Sequence, residues 1–442
     1  MTGKTEPWTD APRAGWSAWW MLAVLLACYV LSALDKLVIY MLVDPIQQEM
    51  GLTDFQISLL IGPAFAICFG LAGYPLGWAS DRFSRRWVVA GGVTFWSLAT
   101  VGTALSRTFG SLFIARIGVG VGEASLAPSA YSLIADRFPR KRLTTALSVY
   151  GMGPKLGTAV SFAVGGAVIG YASSLGPVEL PVVGVLSPWR LALLMIGLPG
   201  VFFALLMFTF REPARRGRKA PTAAAVGLGS YLKANWKLYG SLLLGFSFAG
   251  LAAGGLIAWA PTYMTRQFGW TAQHYGPIMG VVSLIAACSI MAKGVIIDWL
   301  YARGVQDAHV RFYTWLLALA VPLTVVAFVV RNPYAFILLY GAVNVVSVSF
   351  MLYVSATLQI LSPGDFRGRI TAIFMFMITV VAGGAAPTII ASLTDFVFRD
   401  KQALGLSLGI VSVTGLTLAL LTLRYALIPL KAPLADAMAE AE

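Results

Sequence analysis

The chain has 442 residues, of which 58% are hydrophobic and only 12% are charged, and its mean hydropathy is +0.78. A soluble protein of this length needs far more charged surface, so the composition indicates an integral membrane protein. The net charge of +13 does not indicate a nucleic-acid partner, because the basic residues cluster in alternate loops and are not interleaved with stacking aromatic residues.

Apolar segments long enough to cross a bilayer follow one another along the whole chain. A membrane-spanning helix needs about 20 apolar residues, and on that rule the sequence contains about twelve spans. Spans 1 to 12 cover residues 17–42, 55–79, 87–106, 110–135, 143–171, 189–211, 237–265, 275–299, 311–331, 334–362, 368–396 and 403–428. We therefore predict an all-α membrane protein.

The loops after spans 2, 4 and 6 are strongly basic, whereas the opposite loops carry few basic residues. Basic loops stay in the cytoplasm, so both termini are expected there. The expected organisation is a cytoplasmic tail (1–16), a six-helix bundle (17–211), a cytoplasmic linker that can carry an interfacial helix (212–236), a second six-helix bundle (237–430) and a cytoplasmic tail (431–442).

The cysteines and the N-terminal residues do not predict a disulfide, a metal site or a cleavable leader. Cys28, Cys68 and Cys288 all lie in apolar segments, without the spacing of a disulfide framework or a metal site. We expect no metal and no cofactor. The first apolar run is too long for a cleavable leader and follows acidic residues, so we expect it to remain as a membrane helix.

A short pattern occurs at matching places in the two halves, at the end of span 2 and the end of span 8. The copies read Gly77-Trp-Ala-Ser-Asp81-Arg82-Phe-Ser-Arg85-Arg86 and Gly294-Val-Ile-Ile-Asp298-Trp-Leu-Tyr-Ala-Arg303. The repeat indicates a duplicated membrane unit, which is typical of secondary transporters. We expect Gly77, Asp81, Arg82, Arg86, Asp298 and Arg303 to form a cytoplasmic gate that latches when the carrier faces outwards. The alternative is that Arg82, Arg85 and Arg86 only anchor to anionic headgroups, but the recurrence of the acid in both halves favours the latch.

Six spans, a basic linker, six further spans and this repeated loop resemble the major facilitator superfamily (MFS), and the resemblance covers nearly the whole chain. Within it, several stretches resemble the spinster branch. They are Gly118-Val-Gly-Val-Gly-Glu123-Ala-Ser, Leu133-Ile-Ala-Asp136-Arg137-Phe138, Phe95-Trp96-Ser97-Leu98 and Trp259-Ala-Pro261-Thr-Tyr263, together with Asp35-Lys36 where the branch has Asp-Arg. The resemblance implies two pseudo-symmetric six-helix bundles.

Five charged residues lie within the predicted spans: Asp35, Lys36, Arg116, Glu123 and Lys155. A charge near the centre of a membrane helix costs about 2.5–3.5 kcal/mol, so these side chains should face protein or water and form the substrate and proton site. With both acids ionised their formal charges sum to about +1, and with both protonated to about +3, so proton uptake favours an anion. The alternative is that they form salt bridges that hold spans 1, 4 and 5 together.

By analogy with the superfamily, spans 1, 4, 7 and 10 line the pathway, and the lateral spans complete its wall. We expect the cavity wall to contain Phe65, Tyr150, Trp259, Tyr263, Asn344, Tyr353, Phe374 and Phe376. One cationic wall and one aromatic wall suit an amphipathic anion, and the spinster resemblance implies a lysophospholipid- or sphingolipid-like cargo. Packing against neighbouring helices is the alternative role of each aromatic residue.

The function predicted from the sequence is proton-coupled transport of such an anion by alternating access, in a monomer in a bacterial inner membrane. The alternatives within the superfamily are a symporter of small aromatic or organic carboxylates and an exporter of drugs or metabolites. An enzyme is not expected, because no paired acids, histidine cluster or activated nucleophile is evident. A channel is not expected either, because the embedded charges are confined to one half.

Overall fold

The computed structural model describes residues 15–181, 183–215, 228–347, 350–362 and 366–439. The predicted N-terminal tail up to residue 14, residues 216–227 of the predicted linker and residues 440–442 of the predicted C-terminal tail lie outside this set. Within it, eleven helices are long and apolar enough to cross a membrane, and the shorter helices Pro333–Ser347 and Phe350–Leu361 lie within the predicted span 10. The prediction of an all-α membrane protein is confirmed.

The first half of the chain consists of spans 1 to 6, several of them built from two helical pieces. Its helices are Trp16–Leu37, Val43–Met50, Asp54–Ile61, Pro63–Arg82, Arg85–Leu105, Phe109–Glu123, Leu126–Arg137, Arg140–Gly151, Gly153–Leu175 and Pro188–Leu205, with 3₁₀ turns at Val38–Met41 and Leu206–Phe208. The strands Val178–Leu180 and Gly184–Leu186 pair antiparallel between spans 5 and 6, an element that the sequence analysis missed.

The second half contains a short helix in the predicted linker and spans 7 to 12. Its helices are Leu228–Ala234, Trp236–Phe268, Ala272–Ala302, Ala308–Val329, Pro333–Ser347, Phe350–Leu361, Arg367–Thr379, Ala386–Ser392 and Leu404–Ala439, with π-helical turns at Val380–Ala385 and Leu393–Phe398 and a 3₁₀ turn at Lys401–Ala403. The last helix continues beyond residue 430, where the second bundle was predicted to end.

We call the end of the molecule that carries Arg82 and Arg137 the basic end, and the opposite end the outer end. The two halves meet along spans 5 and 8 and along spans 2 and 11. Spans 5 and 8 approach closely because they cross at glycines: a Cβ on Gly166 would lie 2.6 Å from the carbonyl oxygen of Ala272, and one on Gly276 would lie 2.5 Å from that of Phe162.

Spans 2 and 11 are irregular where they meet. Span 2 is interrupted at Gly62, and a proline occupies the first position of the following helix. Span 11 contains the π-helical turn Val380–Ala385 at the same level, and a Cβ on Gly62 would lie 2.8 Å from the carbonyl oxygen of Gly384. π-Helical turns of this kind are frequently found at functional sites. The crossing of spans 2 and 11 is therefore a candidate functional region at the boundary between the halves.

Candidate functional site

Four charged side chains from spans 1 and 4 meet inside the N-terminal half. Asp35 is 0% exposed, Arg116 1% and Glu123 5%, whereas Lys36 is half-buried. The charge of Asp35 interacts with those of Glu123 and Arg116, and Glu123 interacts in turn with Lys36. We call these four residues the charge cluster.

Local helix geometry places the members of the charge cluster. The regular helix of span 1 ends at Leu37, directly after Asp35 and Lys36, and continues as a 3₁₀ turn. Arg116 and Glu123 are seven residues apart in one helix, so they share a face and are separated by about 10 Å along the axis. That helix ends at Glu123, and the next begins at Leu126, so Glu123 lies at a break in span 4.

Several polar atoms of the charge cluster lack hydrogen-bond partners among the described residues. They are both carboxyl oxygens of Asp35, Nε and Nη2 of Arg116, and Oε1 of Glu123. Trp96 and Thr100 of span 3 approach the Asp35 carboxyl without reaching hydrogen-bond geometry. Buried polar groups in proteins nearly always have hydrogen-bond partners. A concentration of unsatisfied polar atoms therefore identifies a position that can receive a polar ligand or protons.

Phe65 of span 2 lies against the two cations of the charge cluster. The Lys36 Nζ is 4.6 Å from the centre of the Phe65 ring, and the Arg116 Cζ is 5.9 Å from it. Contacts of this kind stabilise a cation over an aromatic face. The hydroxyl-bearing side chain of Tyr40, which the sequence analysis did not select, also interacts with the charge of Arg116.

Lys155, the fifth predicted site residue, lies apart from the charge cluster. It is half-buried in span 5, and its charge interacts with that of Lys293 in span 8, across the boundary between the halves. Lys293 is 5% exposed and donates a hydrogen bond to the carbonyl of Val345. The structure thus brings together four of the five predicted charges, and the charge of the fifth interacts with that of a second lysine.

The aromatic residues predicted to line the cavity are mostly packed in the cores of the two halves. The buried ones are Trp259, Tyr263, Tyr353, Phe374, Tyr150 and Phe65. The Trp259 indole donates to the Pro387 carbonyl at 3.0 Å, and Tyr353 stacks on Tyr313 with ring centres 4.7 Å apart. In this structure neighbouring helices cover these rings, so their role as cavity wall stays a prediction.

Two predicted wall residues of the C-terminal half remain partly accessible. Phe376 is 39% exposed, and its ring lies close to Gly70 of span 2, at the boundary between the halves. Asn344 of span 10 is half-buried, and its amide donates to the Tyr340 carbonyl at 2.9 Å. Among the predicted wall residues of the C-terminal half, Phe376 and Asn344 are therefore the ones that are not fully buried.

A network at the outer end joins the two halves. Arg266, at the end of span 7, binds the carboxylate of Asp44 at 2.9 Å, that of Asp54 at 2.7 Å and the Gln47 side-chain oxygen at 2.8 Å. All three partners belong to the N-terminal half, and Asp54 is 0% exposed. The Asp395 carboxylate of span 11 also accepts a hydrogen bond from a span 2 backbone N–H, at 2.7 Å. The outer end is thus closed by charged contacts.

Within the described part of the chain, the predicted gate residues Asp81, Arg82, Asp298 and Arg303 form no comparable network. Asp81 and Asp298 are exposed, and neither has an ion-pair partner within the described part of the chain. Arg82 instead lies over the ring of Trp78, and Arg303 over that of Trp299. Gly77 lies beside Pro128 of span 4. The two halves of the predicted latch are therefore not engaged with each other.

A buried ion-pair cluster next to this gate was missed by sequence reasoning. Arg85 is 0% exposed and binds Asp136 and Glu212, while the Arg86 guanidinium donates to the Phe210 carbonyl at 2.6 Å. Partial burial acts to raise the pKa of Glu212, but hydrogen bonds from Ser84 and Arg85 outweigh it and lower the pKa below its ordinary 4.5. The cluster fixes the start of the linker to spans 3 and 4.

Comparisons with known proteins agree with this architecture. The sequence profile of the Major Facilitator Superfamily matches residues 25–387. An MFS-type efflux pump of Mycolicibacterium smegmatis is 26% identical over 409 residues, which cover 90% of this chain and 89% of the pump. Protein spinster homolog 1 of Rattus norvegicus is 28% identical over 257 residues, which cover 56% of this chain and 46% of that protein.

A solved structure shares the fold over almost the entire chain. It is the crystal structure of a bacterial homolog of the human lysosomal transporter Spinster, in an inward-facing and unoccupied conformation. The two chains agree with a TM-score of 0.73 at 22% identity, over 96% of this chain and 97% of the other. The predicted resemblance is confirmed, and this multi-pass membrane protein is a transporter that belongs to the Major Facilitator Superfamily.

Proposed function

We propose that this chain is a proton-coupled secondary transporter of an amphipathic, lipid-like anion and that it works by alternating access. The observation that carries the proposal is the charge cluster, in which Asp35, Arg116 and Glu123 are buried and have polar atoms without partners among the described residues. A merely structural ion-pair cluster would satisfy its own hydrogen bonds, as the Arg266 network does at the outer end.

Protonation changes the charge that this cluster presents to a ligand. With both carboxylates ionised and both cations charged, the formal charges of the four side chains cancel. With both carboxyl groups protonated, the cluster carries two positive charges and attracts an anion. Proton binding and anion binding then favour each other, and by linkage the coupling is reciprocal. Arg116 is the proposed ligand for the anionic headgroup, and Glu123 is the proposed proton carrier.

The contacts between the halves support an inward-facing state. The charged network around Arg266 closes the outer end, whereas Asp81 and Asp298 at the basic end have no ion-pair partner within the described residues. We propose that the basic end faces the cytoplasm of a bacterium and that both termini lie there. Rocking of the two bundles would break the outer network and engage the latch at Asp81 and Asp298.

The lipid-like cargo is supported by the neighbours of the charge cluster and by the relatives. Phe65 lies beside both cations, and Phe376 is exposed at the boundary between spans 2 and 11, so apolar surface adjoins the proposed headgroup site. Relatives include a spinster homolog and a bacterial homolog of a transporter named Spinster. The efflux pump among the relatives favours the second candidate, an exporter of drugs or metabolites.

Transport by the purified protein in proteoliposomes containing a pH-sensitive dye tests the proposal. With an imposed pH gradient, lysophosphatidylglycerol should accumulate and dissipate the gradient, whereas benzoate should not. A response to benzoate alone would move the cargo to small aromatic carboxylates. Accumulation of lysophosphatidylglycerol without any proton movement would contradict proton coupling, and the absence of a response to both would exclude the proposed cargo class.

A further inference from the structure

Three glycines lie at alternate positions of span 4, immediately before the last residue of the charge cluster. Gly118 and Gly122 are four residues apart and share one face of the helix, whereas Gly120 lies on the opposite face. A Cβ on Gly120 would lie 2.7 Å from the Phe65 carbonyl oxygen of span 2. A Cβ on Gly118 would lie 3.1 Å from the Ala99 side chain of span 3. Span 4 is therefore held closely between spans 2 and 3 at this level.

Spans 3 and 4 come into backbone contact at Gly92 and Gly122. A Cβ on Gly92 would collide with the Ser125 hydroxyl oxygen and would lie 2.9 Å from the Gly122 carbonyl oxygen. A Cβ on Gly122 would lie 2.8 Å from the backbone nitrogen of Trp96. Such separations are too short for atoms that are not bonded, so any larger residue at position 92 forces span 3 or span 4 to move.

Ser125 lies in the break of span 4 that carries Glu123. The first helical piece ends at Glu123, and the second begins at Leu126. The Ser125 hydroxyl donates to the Gly122 carbonyl at 2.8 Å, and the Ser125 side chain is 1% exposed. A serine hydroxyl bonded to a carbonyl one turn back competes with the regular helical hydrogen bonds and often bends a helix. Since its oxygen fills the space beside Gly92, the glycine leaves room for Ser125 to shape the break.

The break determines where the Glu123 carboxyl lies among the charges of the site. Glu123 is the last residue of its helical piece and is 5% exposed, so the placement of its side chain follows the backbone at the break. Gly92 and Ser125 carry no charge, so replacing them can alter the titration of Glu123 only by changing the position or exposure of its carboxyl. The titratable side chains whose charges interact with Glu123 are Tyr29, Asp35, Lys36, Tyr40 and Arg116.

We propose that Gly92, Gly122 and Ser125 are positioning residues for the proton carrier: they fix the break in span 4 that holds the Glu123 carboxyl within the charge cluster. This inference rests on the proposed role of Glu123 in proton coupling. The three residues act through Glu123 and make no contact with cargo, whose headgroup binds at Arg116. Replacing them should therefore change the proton dependence of transport before it changes the affinity for cargo.

Proton-driven accumulation of lysophosphatidylglycerol, measured against pH in proteoliposomes with the full-length protein, tests the inference. Gly92→Ala adds the Cβ that collides with Ser125. It should slow accumulation about tenfold, because functional groups must be held to within about 0.5 Å of their working positions. It should also shift the pH of half-maximal uptake by about one unit, because the distances from Glu123 to its charged neighbours change. Cargo affinity at an acidic pH that protonates Glu123 should stay as in wild type.

A second variant tests the same break without adding volume. Ser125→Ala removes the hydrogen bond to the Gly122 carbonyl and should shift the pH profile by less than Gly92→Ala does. Each variant has a matched control. A Cβ on Gly91 would meet no atom within 4 Å, so Gly91→Ala adds the same methyl group to the same helix harmlessly. Ser161→Ala removes a similar buried hydroxyl-to-carbonyl bond, at 2.6 Å, from span 5. Both controls should keep the rate and pH profile of wild type.

The outcomes separate this inference from the proposed function. If wild-type protein shows no proton-driven accumulation, the proposed function fails before the variants are considered. If wild type accumulates cargo and both Gly92→Ala and Ser125→Ala keep its rate and pH profile, the positioning role is wrong while proton coupling stands. A slower rate with an unchanged pH profile would assign these residues to helix packing and would also overturn the inference. Should Gly92→Ala fail to fold, the pH profile of Ser125→Ala decides: a shift supports the role, and no shift overturns it.

Discussion

The centres of the two halves differ in kind although the halves share a helical plan. In the N-terminal half, Asp35, Arg116 and Glu123 are buried and retain polar atoms without partners among the described residues. In the C-terminal half, the corresponding region is filled by rings such as Trp259 and Tyr353, which stack or donate to their neighbours. Among the described residues, the buried charged side chains with polar atoms that lack a hydrogen-bond partner all belong to the N-terminal half.

The largest effect is expected from Glu123→Gln, which removes the exchangeable proton and keeps the size of the side chain. This variant should abolish proton-driven accumulation of lysophosphatidylglycerol and leave downhill exchange in place, because a neutral amide resembles the protonated carboxyl. Accumulation against a gradient and exchange at equal concentrations, measured in proteoliposomes, distinguish the two activities. Normal uphill uptake by the variant would remove Glu123 from the coupling mechanism and weaken the contrast between the halves.

The sequence was most informative about the charged half. A charge within an apolar span has few explanations, so Asp35, Lys36, Arg116 and Glu123 could be selected, and the structure brings them together. Lys155 belongs to the same prediction, but its charge interacts with that of Lys293 in span 8, and the spacing of residues in span 5 does not determine which neighbouring helix a side chain approaches. Aromatic residues carry no such cost in a membrane, so Trp259 and Tyr353 could not be divided into lining and packing residues.

The sequence was least informative about contacts between distant segments. Arg266 and Asp44 are separated by 222 residues, and Arg85 and Glu212 by 127. All four residues lie near the end of an apolar span, where charged side chains are common and can reach water without a partner. Their pairing depends on how the halves pack, which local pattern and composition do not determine. The irregular crossing of spans 2 and 11 was missed for the same reason.

A second prediction concerns the cation of the charge cluster. Arg116→Ala should weaken binding of lysophosphatidylglycerol by about 10–100-fold, because hydrogen bonds to charged groups contribute about 1.5–3 kcal/mol. Binding is measured by the quenching of intrinsic tryptophan fluorescence in purified protein. Arg107→Ala, at an exposed position in the loop between spans 3 and 4, should leave the affinity unchanged. Unaltered affinity in Arg116→Ala would leave the headgroup without its proposed ligand.

A third prediction concerns Arg266, the residue of the C-terminal half whose charged partners all lie in the N-terminal half. Removal of one member of a buried ion-pair network costs about 3–5 kcal/mol, so Arg266→Gln should disfavour the state in which the outer end is closed. Spin labels at positions 107 and 331, both exposed at the outer end, report the separation of the halves in a background without native cysteines. The variant should populate longer distances.

The control for this measurement lies at the same end of the molecule. Arg190 forms an ion pair with Glu49 at 2.8 Å, and both residues belong to the N-terminal half. Arg190→Gln therefore removes a similar interaction without affecting the contact between the halves, and the distance distribution should stay as in wild type. Equal distributions for Arg266→Gln and wild type would show that the Arg266 network does not hold the outer end closed.

The smallest effect is expected from Trp259→Phe in the C-terminal half. The variant loses the hydrogen bond from the indole to the Pro387 carbonyl, which contributes about 0.5–1.5 kcal/mol to the free energy of unfolding. A lower midpoint of thermal unfolding in detergent should follow, while the affinity for lysophosphatidylglycerol stays the same. The Trp259 ring is 0% exposed, so a cargo molecule has no direct access to it in this state. An affinity loss as large as that of Arg116→Ala would mean that the rings of the C-terminal half bind cargo after rocking, and that the two halves share the site.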